Sequence, residues 1–125
     1  MAAIERKLGV RPIEELLAER DDLVERVADL RARYGPFGTF DHIRKMELAR
    51  LNGLLRAQAV QDKIKRTNDE TDNMCHDHQD YRDLIATATI QRAEWVRVEA
   101  KIEAIEFHIR RADAVMRYAT AEVRL

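Results

Sequence analysis

Residues 81–123 read YRDLIATATIQRAEWVRVEAKIEAIEFHIRRADAVMRYATAEV. Counting in sevens places Tyr81, Ala88, Trp95, Ile102, Ile109, Met116 and Val123 at one seam position and Leu84, Gln91, Val98, Ile105, Ala112 and Ala119 at the other. Of these thirteen residues only Gln91 is polar, where composition alone would make about six apolar. A heptad repeat keeps an apolar stripe on one side of a helix, because 3.5 residues is close to one turn. The spacing therefore predicts one coiled-coil helix over about 80–124. At 1.5 Å per residue it would be about 60 Å long, roughly twice the length of the helix predicted at the other end of the chain. Part of the seam is accordingly expected to meet a copy of the chain or another protein, through Trp95, Val98, Ile102, Ile105, Ile109 and Met116. The indole N–H of Trp95 is expected to reach Gln91 or a neighbouring helix.

The opposite side of the same helix carries Ala86, Ala93, Ala100, Phe107, Ala114 and Ala121. Alanine is the best exposed helix former, so the alanines alone imply nothing. A phenylalanine among them reads as an anchor for a partner.

Before this segment the chain divides at a clear breaker, Gly35-Pro36-Phe37-Gly38-Thr39-Phe40. Gly35 is suited to end a helix in the left-handed region and Pro36 forbids continuation. Phe37 and Phe40 are expected to plug the end of a bundle, and Thr39 or Asp41 to cap the next helix. On the N-terminal side, Pro12 and the acids Glu14 and Glu15 mark a helix start. Leu16, Leu23, Val27 and Leu30 then keep a helical stripe to Tyr34. On its wet side Asp22–Arg26 and Asp29–Arg33 have the spacing of i,i+4 ion pairs. On the C-terminal side Ile43, Met46, Leu48, Leu51, Leu54, Leu55 and Ile64 predict a second helix over about 41–66. Residues 67–79, rich in Asn and Asp, predict an acidic connection, with a continuous helix as the alternative because they contain no Gly or Pro. The expected fold is thus all-α: one domain over 1–125, an elongated bundle of about three helices at about 12–34, 41–66 and 80–124, joined by a turn at 35–40 and the connection 67–79.

Twenty-two Lys and Arg against 23 Asp and Glu give a net charge of −1, so no global field steers the molecule to nucleic acid or an anionic membrane. No apolar stretch approaches the length of a membrane span. A single cysteine and no apolar leader after Met1 point to a cytoplasmic protein. Seventeen arginines against five lysines suggest a GC-rich coding genome, bacterial or phage.

The only metal-capable cluster is Asp72-Asn73-Met74-Cys75-His76-Asp77-His78-Gln79-Asp80. On one continuous helix Asp72, His76 and Asp80 would share a face. There is no second cysteine and no paired-histidine spacing, so a solvated turn is the better reading. Acidic neighbours disfavour a thiolate at Cys75. Leu48-Ala49-Arg50-Leu51-Asn52-Gly53-Leu54 echoes the small residue and glycine of a helix-turn-helix, but the apolar positions that should come after it are Ala59 and Asp62. Gly53 reads equally as a thin spot where another helix approaches. No phosphate loop, nucleophile–base order or cofactor motif is present, so neither enzyme activity nor a cofactor or metal is expected. The function expected is a small oligomeric interaction module, an adaptor, structural component or inhibitor. A nucleic-acid-binding regulator using residues 41–66 is the competing reading, and a metal-dependent enzyme built on His76 and His78 a distant third.

Overall fold

The computed structural model describes Ile4 and residues 7–124, with side chains to Glu122. Four helices and no strand are present among them: α1 (Ile13–Tyr34), α2 (Phe40–Gln61), α3 (Asn68–Asp77) and α4 (Gln79–Arg124). The all-α class holds, and the expected count of three becomes four. The backbone groups into two compact units. One is drawn from the two ends of the chain, bounded inward by Asp29 and Glu94, and the other is Leu30–Ala93.

In the first unit, α1 and the C-terminal half of α4 run antiparallel. Val10, Leu16, Ile105 and Ala112 form the core, with Ile13, Leu23, Ile109 and Val115 packed around it. Farther along the pair, the Arg26 guanidinium grips the Glu94 carboxylate with Nη2–Oε2 2.8 Å and Nε–Oε1 3.3 Å, and holds that carboxyl below the usual glutamate range. Arg26 thus reaches across to α4, a contact that the i,i+4 pattern with Asp22 did not foreshadow. The carbonyl of Pro12 accepts from the amides of Glu15 and Leu16 and so opens α1.

The second unit is built on Leu51, Leu55, Cys75 and Tyr81, flanked by Leu48 and Ile85. At its other end Tyr34 and Phe40 pack with ring centroids 5.4 Å apart, and the Arg92 guanidinium lies over both rings. Phe40 is a plug as expected, but Phe37 is fully exposed. Gly35 does not take the left-handed conformation. The turn needs glycine for a different reason: a Cβ on Gly38 would sit 2.5 Å from the Arg33 carbonyl oxygen, and one on Gly35 equally close to that of Arg31. Thr39 occupies the N-cap of α2 but its side chain makes no capping bond, and Asp41 instead pairs with Arg44 and Lys45.

α2 ends five residues before the expected Arg66. The amide of Ile64 donates to the Ala59 carbonyl and that of Lys63 to Val60, the bond pattern of a Schellman stop. The left-handed residue that closes it is Lys63, φ 56°, where glycine is the usual choice.

The stretch predicted as an acidic connection is the helix α3. Thr67 and Glu70 form a reciprocal capping box at its start, and Asp69 and Glu70 complement the positive end of the helix dipole. Low intrinsic propensity is overcome by burial one turn apart: Thr71 and Cys75 both face inward. Polar ties from α2 hold it in place, Arg56 to Asn68 at 2.7 Å and Asn52 to Asp72 at 3.3 Å. His78 alone, extended at ψ 140°, separates α3 from α4.

Two substitutions test these termini by chemical denaturation. Lys63→Gly should stabilise the fold by about 0.5–1 kcal/mol, because only a residue without Cβ sits there unstrained. Thr67→Ala should cost about 1 kcal/mol and speed modification of the buried Cys75 thiol, whereas Thr67→Ser should leave both near the parent value.

Candidate interaction surface

The seam is already filled by the chain's own residues. Val98, Ile105 and Ala112 are buried, and Trp95, Ile102, Ile109, Met116 and Ala119 are half-buried. Farther up the helix Tyr81 and Ala88 are buried and Leu84 and Gln91 half-buried. The side chain of Val123 lies outside the described residues. The expectation that Val98 and Ile105 are open to a partner is therefore corrected. Length misled: α1 runs for 22 residues and α4 for 46, but Val10 extends the cover before α1, and Tyr81 packs in the other unit with α2 and α3. The Trp95 indole donates to the Glu99 carboxylate one turn on, at 2.8 Å, rather than to Gln91.

Phe107 is the member of the predicted set that faces out, 58% exposed. It has company that heptad counting did not reveal. Val96 and Tyr118 are 68% and 69% exposed, and lie eleven positions to either side of it. Eleven residues make three helical turns plus about 20°, so the three large side chains line one face at intervals of about 16 Å. Between them Ala100, Ala104 and Ala114 are exposed. The signal was an eleven-residue spacing, which a search in sevens scatters over different positions.

Charged residues border this face. One edge carries Glu99, Glu103 and Glu106 and then changes sign to Arg110 and Arg117; the other carries Arg97, Lys101, His108 and Arg111, and all are exposed. Arg117 also pairs with Asp113 at 3.0 Å, and the His108 ring meets Phe107 edge-on, 5.8 Å between centroids. Beside the basic edge a shallow cavity of about 150 Å³ is lined by Gly9, Val10, Arg11, Leu16, His108 and Arg111, with the Arg11 guanidinium held by Glu19 at 2.7 Å.

The other sequence candidates fall differently. α3 stops at Asp77, so Asp80 does not share a helix with Asp72 and His76. Asp80 is instead held by Arg50 at 2.9 Å, and His76 is bonded through Nδ1 to the Asp72 carbonyl and packs edge-on against Tyr81. Among the described residues no three His, Cys, Asp or Glu side chains are grouped to hold a metal ion. The Cys75 thiol is buried, and desolvation, then the nearby Asp72, pushes its pKa up, away from nucleophilic use. Residues 48–54 lie inside the unbroken α2, which removes the helix-turn-helix. A Cβ on Gly53 would meet open space, so among the described residues no helix approaches there. No helix of the described residues is long and apolar enough to cross a membrane. Compared with protein-family models, curated proteins and solved structures, the chain matches none.

A pair of substitutions two residues apart, about half a turn, separates the two faces of α4 in a denaturation experiment. Ile105→Asp should cost several kcal/mol, since a carboxylate would be buried without a partner. Phe107→Ala should cost less than about 1 kcal/mol, as exposed positions do. Equal losses would mean that Phe107 packs inside the fold.

Proposed function

We propose that this chain is a small helical protein–protein interaction module, an adaptor, structural component or inhibitor acting in the cytoplasm by association rather than catalysis, and that its contact surface is the outer face of α4 centred on Phe107. One observation carries the reading: three large apolar side chains, spaced eleven residues apart, stand more than half exposed on a helix whose apolar seam is already occupied. Single exposed apolar residues are ordinary on any protein. Three aligned over about 33 Å of one helix face, interleaved with alanines and bordered by charge, have the make-up of an interface core with a polar rim. Exposed aromatics are the residues that most often dominate binding energy, and two of the three are aromatic. Small side chains between them let a second helix approach closely. Coiled-coil-like pairing on this outer face, rather than on the heptad seam, is the mode of contact proposed.

The test is site-specific photocrosslinking in the cell that makes the protein. A benzophenone amino acid placed at Phe107, Val96 or Tyr118 should yield a discrete adduct, either a dimer of the chain or one defined heterologous species. The same group at Asp62 or Glu25, exposed positions off the face, should not. No adduct above those controls would contradict the proposal.

A further inference from the structure

We infer that the occupant of this face is a second copy of the chain, its α4 antiparallel to the first, about a twofold axis that passes beside Phe107. The inference rests on the outer face being the contact surface and goes on to name the molecule that covers it. A twofold contact demands a patch complementary to itself after a half-turn. In an antiparallel helix pair centred on Phe107, residues equally far from it along the chain meet.

The face satisfies that demand in its apolar and in its charged residues. Val96 and Tyr118, eleven positions either side, would meet each other across the axis twice, and Phe107 would meet its equivalent. Ala100 and Ala114, seven positions either side, would give the small surfaces that close packing needs. Along the acidic-to-basic edge the sign reverses on passing Phe107. A half-turn therefore sets Glu103 beside Arg110 of the second copy, and Glu99 beside its Arg117. Each match is within about 3 Å along the axis, and each occurs twice by symmetry. On the other edge Arg97 would face Val115 and Arg111 would face Ala104, with Lys101 about 3 Å along the axis from Arg111 of the second copy, the one like-charged Lys–Arg approach on that edge. His108 and, on the acidic edge, Glu106 fall opposite their own equivalents, with Arg110 of the second copy within about 3 Å along the axis of Glu106.

Parallel pairing in register would set Glu99 beside Arg97 and Glu103 beside Lys101 of the second copy, but it would lay Arg110 against Arg111, only one residue apart in height, on both sides of the contact, where like charges destabilise. The antiparallel arrangement also opposes the two helix dipoles favourably.

The experiment is sedimentation equilibrium of the full-length chain from about 1 to 200 µM. The parent should move from 14.6 kDa toward about 29 kDa as concentration rises, as mass action requires. Glu103→Arg alone and Arg110→Glu alone should each weaken self-association about tenfold or more, with helicity and melting temperature unchanged because both side chains are exposed. An equimolar mixture of the two variants should associate more tightly than either by itself, because the reversed charges again face opposite ones. The chain carrying both substitutions should recover the parent affinity. Parent chain monomeric throughout would overturn the inference while leaving the outer face free for a different protein, which the Phe107 crosslink would still report. A dimer indifferent to both substitutions would place the contact elsewhere. Weakening without recovery in the mixture would exclude the antiparallel register. Either result would overturn the inference.

Discussion

An apolar seam can be covered only once, and on α4 it is covered from within. Val98, Ile105 and Ala112 are turned into the chain's own interior, where Leu16 and Val10 meet the last two of them. Each such side chain contributes about 1.5–3 kcal/mol when fully removed from water. A partner competing for the seam would first have to displace α1 and lose that burial. Association is therefore confined by this constraint. With the most apolar stripe of the molecule used in folding, contact with another protein falls to the residues left outside, and on α4 the large apolar ones are Ile90, Val96, Phe107 and Tyr118, of which the last three share one face.

A second constraint shapes the middle of the chain. Residues 67–79 contain little that favours helix, yet ten of them, Asn68–Asp77, fold as α3. Three modest effects converge there. The Thr67–Glu70 box satisfies backbone donors that would otherwise be unpaired, Thr71 and Cys75 bury one narrow stripe, and Arg56 and Asn52 reach from α2 to its polar side. None would hold so short a helix in isolation, since helices below about 12 residues are marginal without tertiary contact. The same packing explains why Cys75 is chemically quiet and why Asp80, drawn to Arg50, is unavailable to a metal.

The features legible in the sequence were those that local chemistry forces. α1 begins one residue after Pro12 and ends at Tyr34 because proline and the crowded Gly35–Gly38 turn leave little choice. The heptad count gave α4 its extent and separated its inward residues from Phe107. Illegible features depended on contacts between segments or on atypical residues in familiar roles. The stop of α2 was hidden because a lysine, not a glycine, takes the left-handed position. α3 was hidden because its capping box precedes a polar run instead of an apolar one. Covering of the seam was misjudged because helix lengths were compared without knowing that the first turns of α4 pack with α2 and α3. Val96 and Tyr118 escaped notice because their spacing is eleven residues, and a heptad frame assigns them to unrelated positions. Of the proposed surface, Phe107 and the alanines Ala100 and Ala114 were visible.

Isotope-filtered nuclear Overhauser spectroscopy on a mixture of labelled and unlabelled chains tests most directly whether the seam closes within one molecule. Contacts of the Leu16 methyls with Ile105 and Ala112 should be strong in the uniformly labelled protein and absent from the filtered spectrum of the mixture, which retains only contacts between chains. The same contacts appearing in the filtered spectrum would mean that α1 of one molecule covers α4 of another, and the division of α4 into a folding face and a free outer face would be wrong.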